Sequence, residues 1–241
     1  MSEVKFSAET LAVLKKLQKI NQCLKINKDS TQLTSMNESK TIAAYIEIAE
    51  TLPRTFCVYD LAEFITVLGV IENPVVDFSN DKFVVIKSEN GSQKLRYIDG
   101  EEGLINSYTD KKFSLPSEDL TIKVTGPQLK SVLSAAGALK LEYVGFKSDN
   151  GKVYLSAFAR NNGDGNDTNG YSIEVGETDA EFNLYYKTES LQILDGETTF
   201  VISKKKISMI ENGKAKYFVA LDANSTSKFP EKEVEEASDQ E

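Results

Sequence analysis

One order of elements occurs twice along this chain, and that repeat constrains the fold more than any single motif does. In the first half Ser7 precedes a helical stretch running to about Gln22, with Thr10, Val13, Leu14, Leu17 and Ile20 on one face. Strand-like runs follow at Leu24–Asn27 and Thr31–Met36, then the alternating Ile42, Ala44, Ile46 and Ile48. A strand at Thr55–Tyr59 leads into a short helix, Leu61–Gly69, and strands at Val75–Ser79, Phe83–Ser88 and Lys94–Ile98 close the half. The second half opens on Thr125-Gly126-Pro127, with proline well placed at a helix start. Leu129, Val132, Leu133, Ala136 and Leu139 form that helix's apolar face. Strands at Leu141–Lys147 and Val153–Ala157 flank the hairpin signal Asp149-Asn150-Gly151. Ser172–Val175, Glu181–Tyr185, a short helix at Thr188–Leu194, and strands at Thr198–Ser203, Lys206–Ile210 and Lys216–Leu221 complete it.

Local motifs coincide with the repeat. Phe56-Cys57-Val58-Tyr59 enters the first short helix as Phe182-Asn183-Leu184-Tyr185 enters the second. Glu89-Asn90-Gly91 and Glu211-Asn212-Gly213 turn between the last two strands of each half. Halves of about 115 residues suit single domains. The sequence therefore reads as two tandem α+β domains, 1–105 and 119–229, with a polar connector at 106–118 and a tail at 230–241. Two unrelated α+β domains sharing an element order by chance is the alternative.

Composition supports a globular chain: 40% apolar and 27% charged. No apolar run approaches the roughly 20 residues of a membrane span, and Met1–Phe6 lacks the pattern of a signal peptide. Cys23 and Cys57 sit in apolar segments without metal-ligand spacing and read as buried free thiols of a reducing compartment, so the chain reads as cytoplasmic. The formal charge is −9, which argues against a free-standing nucleic-acid binder. That charge is uneven. Six acidic residues against Lys232 give 231–241 a net −5, so the body carries −4 and the end reads as a solvated, disordered tail.

The chemistry of catalysis is missing from the sequence. The chain has no histidine, hence neither the commonest general base nor the commonest metal ligand. Gly145 with Gly151-Lys152 resembles a phosphate loop, but the spacing is a residue too long and Val153 replaces the magnesium-binding hydroxyl. Asn161–Gly170 clusters side-chain oxygens as a calcium loop does. Counted from Asp164, however, Asn169 stands where a turn glycine belongs and Val175 where the closing glutamate belongs. No cofactor, no metal and no enzymatic activity are expected.

Positive charge is organised on helix faces. On the first helix Lys15, Lys16 and Lys19, with Ala12, fall roughly opposite the apolar stripe; on the second-half helix Lys130, Ser131 and Ser134 do so. By itself such a row is a solvated face.

Three stretches give it more meaning. Phe6-Ser7-Ala8-Glu9-Thr10-Leu11-Ala12-Val13-Leu14-Lys15 resembles the opening helix of the sliding clamps of T-even-type tailed phages. Val58-Tyr59-Asp60-Leu61-Ala62-Glu63-Phe64 is similar to their strand-to-helix junction. Tyr217–Thr226 (YFVALDANST) resembles their closing strand and exit. The likeness runs collinearly from Phe6 to Phe229; the acidic extension and the loop at Asn161–Gly170 depart from it.

The resemblance implies a two-domain subunit, three of which close a six-domain ring around duplex DNA, with two helices per domain on the inner wall and antiparallel sheets outside. Lys15, Lys16, Lys19 and Lys130 would line the bore and meet phosphates without reading sequence. It also implies a tether: the ring holds a DNA polymerase at the primer end for viral DNA replication. An ATP-driven clamp loader would open the ring, and late transcription factors and host RNA polymerase would be further partners. Partner peptides would dock near the connector and the last strand, at Tyr108, Phe113, Leu115 and Leu221, and Phe83–Ser88 and Lys206–Ile210 would be the edges at which subunits meet. Three other readings remain: a structural virion protein of repeated α+β domains, a hydrolase with an unrecognised carboxylate site, and a cellular-type clamp.

Overall fold

The computed structural model describes residues 2–105, 113–159 and 169–229. The chain divides into two compact units: Met1–Phe113 with Lys214–Phe218 form the first, and the rest of the chain forms the second.

The first unit runs β1 (Glu3–Val4), α1 (Ala8–Gln18), β2 (Leu24–Ile26), β3 (Gln32–Met36), β4 (Ile42–Glu47), β5 (Phe56–Val58), α2 (Leu61–Val70), β6 (Pro74–Asp77), β7 (Phe83–Ser88) and β8 (Lys94–Ile98). A 3-10 turn follows at Glu102–Leu104. One antiparallel sheet has the order β1-β6-β7-β8; β2 pairs with β5 and β3 with β4. The second unit runs β9 (Leu120–Val124), α3 (Gly126–Ala138), β10 (Tyr143–Asp149), β11 (Lys152–Phe158), β12 (Gly170–Glu177), β13 (Glu181–Lys187), α4 (Thr188–Leu191), β14 (Thr198–Ser203), β15 (Ile207–Asn212), β16 (Ala215–Ala220) and β17 (Thr226–Lys228). One of its sheets has the order β12-β11-β10-β13-β17, and β9 pairs with β14, which pairs with β15.

The repeat extends from element order to pairing. In each unit the strand before the first helix pairs with the strand after the second: Val4 faces Val76 as Val124 faces Thr198. The strands enclosing the middle hairpin pair too, β2 with β5 and β10 with β13. The Asn-Gly turns are built as their composition predicts, with φ of +69° at Gly91, +80° at Gly151 and +61° at Gly213, values glycine adopts without steric cost.

Several expectations need correction. Helix α1 stops at Gln18, four residues short of the predicted end, because Lys19 closes its last turn and Ile20 folds back into the core. Leu139 lies past the end of α3 and is 43% exposed, so it is not part of that helix's buried face. Cys57 is buried, but Cys23 is only partly so; its thiol points at the Tyr59 carbonyl, 3.1 Å away. The strands predicted as edges are interior: β7 is paired by β6 and β8 on its two sides, and Lys206–Ile210 belongs to β15, which β14 pairs. Among the described strands, the outermost ones include β1 and β8 in one sheet and β12 and β17 in another. Short strands β1, β9 and β17 were not foreseen at all. The acidic tail and most of the Asn161–Gly170 loop lie outside the described residues.

The first core is aromatic. Phe56 lies 5.3 Å from Phe64 and 5.5 Å from Phe78, and Phe64 lies 5.1 Å from Tyr97, all edge-on or tilted. Burial pushes the Tyr97 hydroxyl up to about 12 while it donates to the Asp60 carbonyl. Arg54 binds the Asp99 carboxylate through two nitrogens and donates to the carbonyls of Thr55, Phe78 and Phe83, locking β5 to the β6–β7 connection. The second core centres on Phe146, Phe200, Leu155, Leu184 and Tyr186 beneath Leu129, Val132 and Ala136 of α3. Each such fully buried large side chain contributes about 1.5–3 kcal/mol.

Gly145 holds this second unit's main sheet together at close range. In β10 it faces Tyr185 of β13, and a Cβ there would lie 2.0 Å from the Leu184 carbonyl oxygen. It is a mid-strand residue, which removes the phosphate-loop likeness structurally as well.

Candidate nucleic-acid interface

Helix α1 is fixed at its start by two caps. The Ser7 hydroxyl accepts from the Thr10 N–H at 3.1 Å, and the Glu50 carboxylate accepts from the Ser7 N–H at 2.6 Å and from the Thr10 hydroxyl. Burial alone would raise the Glu50 pKa, but the hydrogen bonds from Thr10 and Ser7 outweigh it and hold the carboxyl below its ordinary range. Thr10, Leu14 and Leu17 then bury one stripe. Lys15 and Lys19 are exposed on the opposite side, and Lys16 is half-exposed at its flank. Lys15 and Lys16 occupy the last turn and Lys19 the C-cap, where cations complement the helix dipole. Glu9, an acid on the exposed side, is paired with Lys214 at 3.1 Å.

Helix α3 repeats the construction. The Thr125 hydroxyl accepts from the Gln128 N–H, the Gln128 side chain reaches back to the Thr125 N–H, and Pro127 stands in the first turn. Leu129, Val132 and Ala136 are buried, while Lys130 and Ser134 are exposed on the other face. The second helices add no basic residue of their own. Helix α2 exposes Glu63 and Thr66 after the Asp60 cap, and α4 is a single turn. Asp60 is held below the usual carboxylate range by the Glu63 N–H and by the Gln22 amide. The structure thus places Lys15, Lys16 and Lys19 on one helix face in the first unit, and Lys130 on the exposed face of the corresponding helix in the second, where Ala12 stands in the first.

The residues expected at a partner pocket are divided between the two units. Tyr108 lies outside the described residues. Phe113, in the first unit, donates its N–H to the Tyr45 hydroxyl at 3.2 Å and packs against the rings of Tyr45 and Phe218 at 6.4 and 6.0 Å. Leu115 is half-buried and Leu221 buried, both in the second unit. Sequence reasoning missed Tyr45 and Phe218. The signal was present in Tyr45, an aromatic on the face of β4 opposite the apolar alternation of Ile42, Ala44 and Ile46.

Among the described residues there is no group of three or more histidine, cysteine, aspartate or glutamate side chains able to hold a metal ion. No helix among them is long and apolar enough to cross a membrane. What the arrangement offers is two helices, each burying one stripe and exposing basic charge on the opposite face, three lysines on α1 and one on α3.

Residues 121–223 match the protein family described as "gp45 sliding clamp, C terminal". The sliding clamp of Vibrio phage KVP40 is 29% identical over 226 residues, covering 91% of this chain and all of that protein. Residues 121–223 thus match a sliding-clamp domain, and the chain is similar to a phage sliding clamp over most of its length. Solved structures share its fold at far lower identity. The proliferating cellular nuclear antigen of Entamoeba histolytica is 13% identical with a TM-score of 0.67, covering 92% of this chain and 98% of that one. That of A. fulgidus, solved with the C-terminal region of FEN-1 bound, is also 13% identical, with a TM-score of 0.68 and coverage of 94% and 100%. The PCNA2–PCNA3 complex of Sulfolobus tokodaii gives 0.58 at 13% identity, covering 91% and 98%. By sequence the chain is similar to a phage clamp, and its fold is shared with the proliferating cellular nuclear antigens.

Proposed function

We propose that three copies of this clamp close a ring around duplex DNA and tether the replicative DNA polymerase during viral DNA replication. The observation that carries this reading is the lysine-bearing face of α1, opposite a buried stripe and matched by Lys130 on α3, within a clamp fold. Topology rather than affinity holds such a ring on DNA, so a net charge of −9 is no obstacle. Phosphate contacts made by Lys15, Lys16, Lys19 and Lys130 position the duplex without reading its sequence. The tethered polymerase stays at high local concentration by the arithmetic of linked binding. An ATP-driven loader opens and closes the ring, and late transcription factors with host RNA polymerase use the same platform. The A. fulgidus neighbour, with a bound FEN-1 C-terminal region, supports docking of partners through short peptides. Here Leu115 and Leu221, both in the second unit, are the proposed pocket residues.

The subunits join through β8 of one copy and β12 of the next, a head-to-tail contact that closes a ring. Each is an outermost strand of its sheet and exposes an apolar residue, Ile98 at 72% and Tyr171 at 37%. Their charges are complementary: Lys94 and Arg96 on β8, Glu174 and Glu177 on β12.

The test replaces Lys15, Lys16 and Lys19 together by glutamate. Exposed substitutions shift stability by only about 0.5 kcal/mol each, so the fold should survive, as circular dichroism checks. Clamp-stimulated primer extension should fall for every template sequence, with a flatter salt dependence. Native mass spectrometry should show a trimer. A folded variant that stimulates as the wild type does, or a chain that stays monomeric at high concentration, overturns the reading.

A further inference from the structure

We propose that the tip of the β14–β15 hairpin, Lys204-Lys205, is a docking point for acidic residues of the peptides that bind this clamp. It rests on the reading of Leu115 and Leu221 as part of the partner pocket. Ser203-Lys204-Lys205-Lys206 contains the one run of three consecutive lysines in a chain of net charge −9.

The turn is held rigid by its surroundings. The Asp119 carboxylate accepts from the Lys204 N–H at 2.8 Å and from the Ser117 hydroxyl, and the Ser117 and Ser203 hydroxyls lie 2.8 Å apart. The Lys205 N–H donates to the Ser203 hydroxyl, and the Lys206 ammonium donates to the Ala223 carbonyl. Lys206 has a φ of +62°, as Lys40 and Lys140 do at +57° and +52°, where the three Asn-Gly turns of this chain use glycine. Lys206 is thereby consumed by the fold. Lys204 and Lys205 are exposed, and among the described residues neither pairs with a carboxylate.

The neighbourhood ties this tip to the pocket. The Leu221 N–H donates to the Lys206 carbonyl at 3.0 Å, and Leu115 lies two residues before Ser117. A peptide anchored on those leucines would bring its flanking residues, at about 3.3 Å each, to the lysines within a few positions. The occupant is an acidic protein segment rather than DNA because the hairpin belongs to the β9-β14-β15 ladder. Helix α3, which carries Lys130, packs instead on β10, β11 and β12.

The test measures binding of the full-length clamp to the immobilised replicative DNA polymerase encoded in the same genome, without DNA, across a salt series. Lys204→Glu with Lys205→Glu should raise Kd about 5- to 30-fold at low salt, less as salt rises, and the double alanine variant should move the same way by less. Wild-type affinity in the folded double glutamate variant overturns the proposal. So does a defect confined to primer extension on DNA, which would assign the lysines to nucleic acid. Leu115→Ala is measured in parallel: if only that variant keeps wild-type affinity, the pocket reading fails and the acidic contact stands.

Discussion

Replacing Glu50 by alanine should loosen the lysine-bearing helix from its start. The carboxylate there accepts from the Ser7 N–H and the Thr10 hydroxyl. Hydrogen bonds to a charged group contribute about 1.5–3 kcal/mol each when buried. Glu50 is half-exposed, so about 1 kcal/mol each is the appropriate scale. An anion beside a helix N-terminus adds about 0.3–1 kcal/mol. The expected loss is therefore about 2–3 kcal/mol, read from urea unfolding at neutral pH. Glu50→Gln, which keeps an acceptor but not the charge, should lose about half as much. The pH dependence carries the sign of a depressed carboxyl. Its folded pKa lies below the ordinary 4.5, so its contribution is complete above that value and disappears as pH falls through the folded pKa. Wild type and variant should thus differ by a constant amount from about pH 6 to 8 and converge in acid. A variant within about 0.5 kcal/mol of wild type at neutral pH, or a difference undiminished in acid, would refute the account of this cap.

Two further outcomes are expected. Gly145→Ala should cost about 3 kcal/mol or more in unfolding free energy, because its Cβ meets the Leu184 backbone rather than a yielding side chain. Ile98→Asp and Tyr171→Asp, each on an exposed strand edge, should leave the subunit's melting temperature within a few degrees of wild type but abolish the trimer in analytical ultracentrifugation.

The repeat, both long helices and the Asn-Gly turns were legible in the sequence because each is encoded locally, by a period, a cap or a glycine at positive φ. Pairing is not local. Nothing in Phe83–Ser88 says that β6 and β8 will flank it, so an interior strand was read as an edge. The strand β17, Thr-Ser-Lys, has no apolar alternation and exists only because Glu181–Asn183 pairs with it. Leu120–Val124 does alternate, but it is short and stands between the polar Ser117-Glu118-Asp119 and a strong helix start, so the sequence assigns it no element. The lysine faces were readable from helical period alone. The aromatic cluster of Tyr45, Phe113 and Phe218 was not, because its members come from three distant stretches of chain.

That last separation has a consequence in time. Lys214–Phe218 belongs to the first unit: Lys214 accepts from Glu47 and pairs with Glu9, and Phe218 packs on Tyr45. A ribosome that has finished residue 113 must add about a hundred more before this piece exists, some 5–20 seconds at ordinary elongation rates. Until then β4 waits beside a missing neighbour. The N-terminal unit, although begun first, is thus completed only when the second is nearly made, and a nascent chain stalled in the second half would hold an unfinished first one.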